Sequence, residues 1–372
     1  MSELSRSYDI IVVGAGPSGA MAALNAAKNG FSTYVIEKER LYGEGRYKAC
    51  GGAIPWQIVD EMEYPEEKIA RSFETIELHH IDGEQYTIKE KGAIVWRNIF
   101  DKYLIDIAIA SGAKLKEGEQ LIQITKDVHH NYVIKTNNST YKAKYVIAAD
   151  GVTSTTLKQL MWPSFDSSDV YITTTHEMKS SKNFINNQLG VDQIHCFFGR
   201  DFSPRGYSWL FPKEDVITVG WGNQIDFVKN SRKEFKTFLS LPRVKKILTN
   251  TSRIMNKSNL LPMGLRPKLC EDNVLAVGDA GGFVEPFFGE GIGYAMLSGD
   301  IAISAIRLGE DKNSQSKISA YYEELLDKEF LTAFKQSKEL RDKIYHSDEN
   351  LKEFLSLLEK YSTVEIIEKK LY

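Results

Sequence analysis

The most constraining feature of this chain lies near its start. The apolar run Tyr8-Asp9-Ile10-Ile11-Val12-Val13 breaks into Gly14-Ala15-Gly16-Pro17-Ser18-Gly19 and then into an alanine-rich stretch, Ala20 to Asn29. That order reads as strand, tight turn and helix. A second strand-like run, Thr33-Tyr34-Val35-Ile36, ends in Glu37, 18 residues beyond Gly19. The spacing is that of a dinucleotide-binding βαβ unit. The first glycine permits the turn, the second lets backbone approach a pyrophosphate, and the third lets helix pack on strand, with the helix N-terminus facing the anion. Glu37 is placed to accept hydrogen bonds from a ribose. Its charge repels a 2′-phosphate, which favours FAD or NAD over NADP.

Composition narrows the remaining classes. With 47 Lys and Arg against 50 Asp and Glu, the net charge of -3 argues against a nucleic-acid binder. Hydrophobic residues at 42% are enough for a sizeable core, and 372 residues suggest two or three domains. No apolar run is long enough to cross a bilayer and no cleavable leader is evident, so a cytoplasmic protein is expected. Cys50, Cys196 and Cys270 are far apart and form no C-x-x-C pair, which fits a reducing compartment. The histidines show no metal spacing, and no metal is expected. No second G-x-G-x-x-G follows. A separate nicotinamide domain is therefore not expected, and the electron donor binds transiently or is another protein.

Later segments separate FAD from NAD. Tyr145-Val146-Ile147-Ala148-Ala149-Asp150-Gly151 reads as a strand ending in Asp-Gly, and Asn273 to Gly282 as one ending in Gly278-Asp279. Asp279 suits ribityl hydroxyls. Gly289-Glu290-Gly291-Ile292-Gly293 opens an apolar helix running to about Leu308, whose N-terminus would stabilise the anion of a reduced isoalloxazine. Arg97 begins a helix-like stretch, where a cation opposes the dipole. It reads either as a cofactor-phosphate contact or as a solvated arginine.

The order of G-x-G-x-x-G with Glu37, then Arg97 with Phe100-Asp101, then Asp150-Gly151, then Gly278-Asp279 resembles FAD-dependent oxidoreductases built like p-hydroxybenzoate hydroxylase. Within that superfamily, Pro204-Arg205-Gly206-Tyr207-Ser208-Trp209-Leu210-Phe211-Pro212 matches the P-x-x-Y-x-W-x-F-P motif of the geranylgeranyl reductase family. Lys48-Ala49-Cys50-Gly51-Gly52 resembles that family's cysteine-glycine loop, and the likeness covers about residues 8 to 310. It implies a Rossmann-type FAD-binding domain interleaved with an antiparallel-sheet substrate domain, α/β in class, and a C-terminal helical region. It also implies saturation of isoprenoid double bonds, on diphosphates, chlorophyll side chains or archaeal ether lipids, as part of lipid biosynthesis. FAD contacts are implied for Gly14, Gly16, Pro17, Ser18, Gly19, Glu37, Lys38, Cys50, Gly51, Gly52, Arg97, Asp150, Gly151, Gly278, Asp279, Gly289, Gly291 and Ile292. Tyr207, Trp209, Phe211, Pro286, Phe287 and Phe288 are implied to meet the substrate. Glu285 with the two phenylalanines departs from the asparagine-containing pattern common in that family.

The chemistry of these residues admits two readings each. Tyr207, Trp209 and Phe211 alternate, so a strand sets three rings on one face and Ser208 and Leu210 on the other. Such a wall covers a core or lines a pocket for a polyene, and the resemblance favours the pocket, with Cys50, Tyr207 and Trp209 as catalytic residues. Cys50 either donates a proton beside the flavin or packs. Arg40, Arg46 and Lys48 make its loop basic, facing a phosphate or solvent. Cys196 and Cys270 read as structural. Residues 1–72, 96–160 and 265–310 are expected to form the FAD domain, 73–95 and 165–262 the substrate sheet, and 311–372 a helical region. Leu351 to Leu358 packs on the domain, closes the substrate cavity or touches a bilayer, so a peripheral membrane contact stays open, as does the donor, NADPH, ferredoxin or another reductant. A flavin monooxygenase or halogenase, or an electron-transfer flavoprotein reducing quinone, are the alternatives on the same fold. Three scattered cysteines cannot ligate the iron-sulfur cluster usual in the last.

Overall fold

Ile10–Val13, the apolar run that opens the sequence, is almost wholly buried at the centre of a parallel sheet in the computed structural model, which describes residues 6–42, 47–362 and 365–366. Such two-sided burial is what a continuous Ile/Val run without alternation predicts. In chain order the strands are β1 (Arg6–Val13), β2 (Thr33–Glu37), β3 (Ala53–Pro55), β4 (Ile69–His80), β5 (Gln85–Val95), β6 (Lys114–Glu117), β7 (Leu121–Lys126), β8 (Tyr132–Thr136), β9 (Thr140–Ala148), β10 (Val170–Lys179), β11 (Gln193–Phe198), β12 (Ser208–Pro212), β13 (Val216–Gln224), β14 (Ser252–Pro262), β15 (Cys270–Glu271) and β16 (Val274–Ala276). The helices are α1 (Pro17–Lys28), α2 (Trp56–Glu61), α3 (Arg97–Ala110), α4 (Thr155–Gln159), α5 (Lys182–Leu189), α6 (Ser231–Leu239), α7 (Pro242–Leu248), α8 (Ile292–Asp311), α9 (Ile318–Leu326), α10 (Thr332–Ile344) and α11 (Asp348–Leu358).

The chain divides into two compact units, each discontinuous in sequence. The first comprises the chain to Tyr47, Asn98–Asp166 and Pro262–Phe334. Its sheet runs β15-β16-β9-β1-β2-β6, and β8 pairs with both β7 and β9. β16, β9, β1, β2 and β6 run parallel, so the loops that follow β16, β9, β1 and β2 leave one edge together. Small residues let α1 and α8 lie almost in contact. A Cβ on Gly299 would stand 2.3 Å from the Ser18 carbonyl oxygen and 3.0 Å from the Ala22 nitrogen. Residues 311–334 belong to this unit: Tyr322 of α9 is fully buried and donates its hydroxyl to the Ala276 carbonyl at 2.7 Å.

The second unit comprises Lys48–Arg97, Ser167–Leu261 and the chain from Lys335. Its sheet order is β14-β10-β13-β12-β11-β4-β5-β3. Residues 48–72, expected with the cofactor domain, fall here because β3 and the start of β4 both pair with β5. β3·β5, β4·β5, β11·β12, β12·β13 and β10·β13 are antiparallel, whereas β4·β11 is parallel. Helices α5 to α7 cover one face, burying Ile185, Phe235, Phe238 and Ile247 against Phe197, Leu210, Ile217 and Trp221. α11 buries Leu351, Phe354, Leu355 and Leu358, so its apolar stripe is spent on packing and not on a bilayer. Among the described residues no helix is long and apolar enough to cross a membrane.

Two histidines are buried under α5. His195 Nε2 lies 2.9 Å from the Leu189 carbonyl, which only accepts, so that nitrogen carries the proton. His195 Nδ1 is then the acceptor for His79 Nε2 at 3.0 Å. Both rings are neutral. Burial, with the Arg243 charge adding, pulls His79 down to about 3, and burial lowers His195 as well. Because both fold with pKa values below the unfolded value near 6.5, the unfolded chain binds more protons in acid. Their contribution to stability is present above about pH 6.5 and is lost as pH falls toward 3.

The denaturant midpoint of the protein is expected to fall as pH drops from 7 to 4, and to fall less steeply in the double variant His79→Leu/His195→Leu; parallel profiles would contradict this assignment. In the first unit, Gly299→Ala should force α1 and α8 apart and cost about 1–3 kcal/mol in equilibrium denaturation, an overpacking penalty that an unchanged midpoint would refute.

Candidate active site

Both ends of the expected dinucleotide motif are built from backbone contact. Gly14 adopts φ +105°, and a Cβ there would lie 2.3 Å from the Ala149 carbonyl oxygen. A Cβ on Gly19 would lie 1.9 Å from the Gly14 oxygen. α1 starts with Gly16 as its cap residue and Pro17 in its first turn, without a side-chain cap or an acidic residue there, which leaves its polar N-terminus suited to an anion. Glu37 is buried, with Oε2 accepting from the Ala15 N–H and Oε1 from the Glu39 N–H, each at 2.8 Å. The acid therefore braces the turn as well as ending β2. Lys38 beside it is exposed.

The other first-unit segments gather at the same sheet edge. Gly278 has φ +55°, and its Cβ would meet the Ser18 hydroxyl at 2.6 Å, so the turn after β16 touches the start of α1. Asp279 follows in that turn, half-buried. Asp150 accepts from the Ser154 and Thr156 hydroxyls and from the Thr156 N–H at 2.9 Å, which makes it a brace for α4. Gly151 has φ +84° with open space where a Cβ would be. Arg266, which the sequence does not single out, ties these loops together. Its guanidinium donates to the carbonyls of Ala280 and Pro163 at 2.7 Å and of Val152 at 3.2 Å.

The loop before α8 is closed on itself. Glu285 N–H donates to the Glu290 carbonyl at 2.7 Å, and Gly289, at φ +70°, donates back to the Glu285 carbonyl at 3.0 Å. The Glu285 carboxylate accepts from the Phe287 N–H at 3.0 Å and the Phe288 N–H at 2.6 Å. This is what the departure from the family's pattern does: it folds the loop locally. Pro286 and Phe287 are buried and Phe288 is partly exposed, with the two rings edge to face at 4.8 Å. Gly291 caps α8 without a side-chain bond, Ile292 begins it, and the Glu290 carboxylate accepts from the Gly293 N–H at 2.8 Å. Burial, with Glu285 nearby, raises the Glu290 carboxyl to about 7. The helix N-terminus read as facing the isoalloxazine thus carries an acid that titrates near neutrality.

The second unit assembles the remaining candidates. Gly52, at φ +79°, accepts from the Val95 N–H at 2.9 Å. A Cβ on Gly51 would stand 2.6 Å from the Phe211 ring and 3.4 Å from the Trp209 nitrogen. Only glycine lets the Cys50 loop lie on the ring row. Tyr207 and Trp209 have centroids 5.8 Å apart, Trp209 and Phe211 6.3 Å, on the sheet face opposite α5 to α7. Gly220 makes room, since its Cβ would fall 1.9 Å from the Trp209 ring. Trp209 is only 8% exposed, and its indole N–H has no acceptor among the described residues. A buried donor left unpaired is costly, and a bound group with acceptor atoms would satisfy it. Arg46 of the basic loop lies outside the described residues, and Arg40 is exposed. Arg97 is 7% exposed, which removes the solvated reading.

Lys213, directly after the aromatic motif, was not legible as a site residue. Its ammonium is buried 3.3 Å from Glu177 Oε1 and 3.4 Å from the centre of the Trp96 ring, while Glu177 Oε2 accepts from the Thr218 hydroxyl at 2.8 Å. Burial lowers the Lys213 pKa, against the opposing pull of Glu177 and the nearby Cys50 thiol. Cys196 and Cys270 are buried thiols; burial raises both, Cys270 to about 12. Among the described residues no cluster of acids, histidines or cysteines could hold a metal.

Comparison with known proteins places this arrangement. Residues 9–153 match the family described as FAD dependent oxidoreductase, and residues 176–257 the geranylgeranyl reductase catalytic domain. A digeranylgeranylglycerophospholipid reductase of Methanococcus vannielii is 34% identical over 333 residues, 86% of this chain and 83% of that protein. The crystal structure of a geranylgeranyl bacteriochlorophyll reductase-like protein from Thermoplasma acidophilum superposes with a TM-score of 0.85 at 24% identity, covering 99% of this chain and 95% of that one. A flavin-dependent brominase shares the fold at a TM-score of 0.76 and 16% identity, covering 98% of each chain. On its sequence match to the archaeal reductase and to both family descriptions, the chain belongs to the geranylgeranyl reductase family of FAD-dependent oxidoreductases.

Proposed function

We propose that this protein saturates the carbon–carbon double bonds of geranylgeranyl chains carried on an archaeal-type ether phospholipid. The observation that carries the reading is the close packing of Gly51, in the Cys50 loop, on Trp209 and Phe211 of the Tyr207, Trp209 and Phe211 row, which offers apolar area for a polyene beside the loop that carries a thiol. The archaeal relative's name supports the phospholipid over a free diphosphate. Gly14–Gly19, Gly278 and Asp279 would hold FAD, which once reduced would supply a hydride. The chain's own residues do the rest. The rings hold the alkene by apolar contact and exclude water. The Cys50 S–H bond breaks as a C–H bond forms on the carbon adjacent to the one reduced, and the electron pair stays on sulfur as a thiolate. The Lys213 ammonium, held by Glu177, is the nearby cation that would stabilise that charge. The electron donor is an external reductant of the NADPH or ferredoxin class, and contact with the membrane is peripheral.

Anaerobic photoreduction followed by addition of digeranylgeranylglycerophospholipid is expected to reoxidise the flavin without oxygen. Mass spectrometry should show two hydrogens gained per double bond. Cys50→Ala should keep its flavin and slow that reoxidation by about 10²-fold or more, the loss expected of a general acid. A flavin that stays reduced until oxygen is admitted would replace this reading with the oxygen-using one.

A further inference from the structure

The ring row has a fourth member. Tyr207, Trp209, Phe211 and Lys213 alternate along the chain, and Lys213 continues the register of β12 just past its end, because its N–H donates to the Val216 carbonyl at 2.7 Å. Its own carbonyl accepts from Arg71 Nε at 3.1 Å and Nη2 at 2.8 Å. Both backbone groups are fixed, which commits the side chain to the ring face. Phe211 pairs with Thr218 and Thr218 with Glu177, so the acid lies on that face as well. The side chains of Lys213 and Glu177 are only 3% and 2% exposed. A wall of rings thus ends in a buried ion pair.

Such a pair does little for stability, since the cost of desolvating two charges cancels their attraction. The neighbouring loop gives it a use. The Lys213 ammonium sits 3.4 Å from the centre of the Trp96 ring, and Val95, the residue before Trp96, donates its N–H to the Gly52 carbonyl at 2.9 Å. Gly51 packs on the Phe211 ring, two residues before Lys213 on the same face. The Cys50 loop is therefore held between Val95–Trp96 and Phe211, and Lys213 adjoins both. Burial lowers the Lys213 pKa while Glu177 and the Cys50 thiol oppose it, which agrees with that proximity. The ammonium is not locked onto its acid: 3.3 Å to Glu177 Oε1 is longer than the roughly 2.7–2.9 Å of a tight charge-assisted bond.

Protonating an alkene leaves Cys50 as a thiolate, and a polyene needs the thiol again before its next double bond is reduced. A lipid lying on the rings keeps bulk water away in the interval. We propose that Lys213 returns the proton to Cys50 between successive reductions, an inference that rests on the reading of Cys50 as the acid. An N–H bond of the ammonium breaks as the S–H bond forms, and the electron pair stays on nitrogen. The neutral amine then takes a proton from solvent at the turn between β12 and β13, where the next residue, Glu214, is exposed. Glu177 holds the amine in place and favours its return to the charged form. One proton is consumed for each bond saturated, which balances the hydride.

The test separates the charge of Lys213 from its proton. Lys213→Arg keeps a cation able to stack on Trp96 and pair with Glu177, but a guanidinium does not give up its proton. The full-length holoprotein is reduced anaerobically, with dithionite as the continuing reductant, and digeranylgeranylglycerophospholipid is followed by rapid quench and mass spectrometry. In Lys213→Arg the first double bond should be saturated within about threefold of the native rate and each later one roughly tenfold or more slower, so that partly saturated lipid accumulates. Lys213→Gln/Glu177→Gln, which removes both charges and keeps a hydrogen-bonded pair, should show the same gap between first and later bonds, and it decides the matter if the arginine does not fit. A folded variant that saturates every bond at the native rate, or one that slows first and later bonds equally, would overturn the relay: the former leaves water to restore the thiol, the latter leaves Lys213 a charge or packing role alone. In both cases the native protein still reduces the lipid. A native flavin that the lipid fails to reoxidise removes the reductase reading, and the relay with it.

Discussion

Close approach of backbone at the start of α1 is the contact on which the first unit depends. Gly14 against Ala149, Gly19 against Gly14 and Gly299 against Ser18 bring backbone to backbone, Gly278 comes equally close to the Ser18 side chain, and none of the four positions has room for a Cβ. Each joins a different part of the chain to the same turn: its own strand, the loop after β9, the loop after β16, and α8. The parallel sheet brings those loops to one edge, and the absent side chains let them meet. A cofactor laid along that edge would touch main chain from four segments separated by more than 250 residues in sequence. Arg266 answers the same problem with charge, collecting carbonyls that the meeting loops would otherwise leave unpaired.

The second unit has two unlike faces. Where α5 to α7 lie, aliphatic and aromatic side chains interdigitate and two neutral histidines complete each other's hydrogen bonds. On the opposite face the rings of β12 lie beside an indole N–H and a Thr175 hydroxyl that have no partner among the described residues. The helices cover the first face, and the second carries the ring row on which a polyene could lie. A sheet with both faces filled would be more stable and would have nowhere to hold a polyene, the usual exchange between stability and function.

What could be read from the sequence follows from how local each signal is. The β1–α1–β2 turn, the ring alternation of Tyr207 to Phe211 and the amphipathic stripe of α11 are periodicities within a few residues, and each stands as expected in the structure. The Lys213–Glu177–Thr218 group was invisible because it joins two strands, β10 and β13, to the turn between β12 and β13, and a lysine after a proline carries no signal that it will be buried. The place of residues 48–72 was hidden for a like reason: the short β3 declares itself only by pairing with β5. Arg97 was ambiguous because helix position predicts the dipole cost of a cation and not its burial. The roles of Glu37 and Asp150 as braces for their own loops were equally beyond reach, since both acids sit where a ribose contact would also put one.

The order of the segments has a consequence for how the protein is made. β1 leaves the ribosome some 130 residues ahead of its neighbour β9, and β16 and α8 come more than 100 residues after that. Through most of synthesis the apolar run Ile10–Val13 lacks the partners that bury it on both sides, and the intervening chain belongs largely to the other unit. Sheets assembled from such distant strands close slowly and leave sticky edges in the interval. The nascent chain is therefore a natural client for chaperones, and excision of either unit as a single contiguous fragment would leave its sheet incomplete.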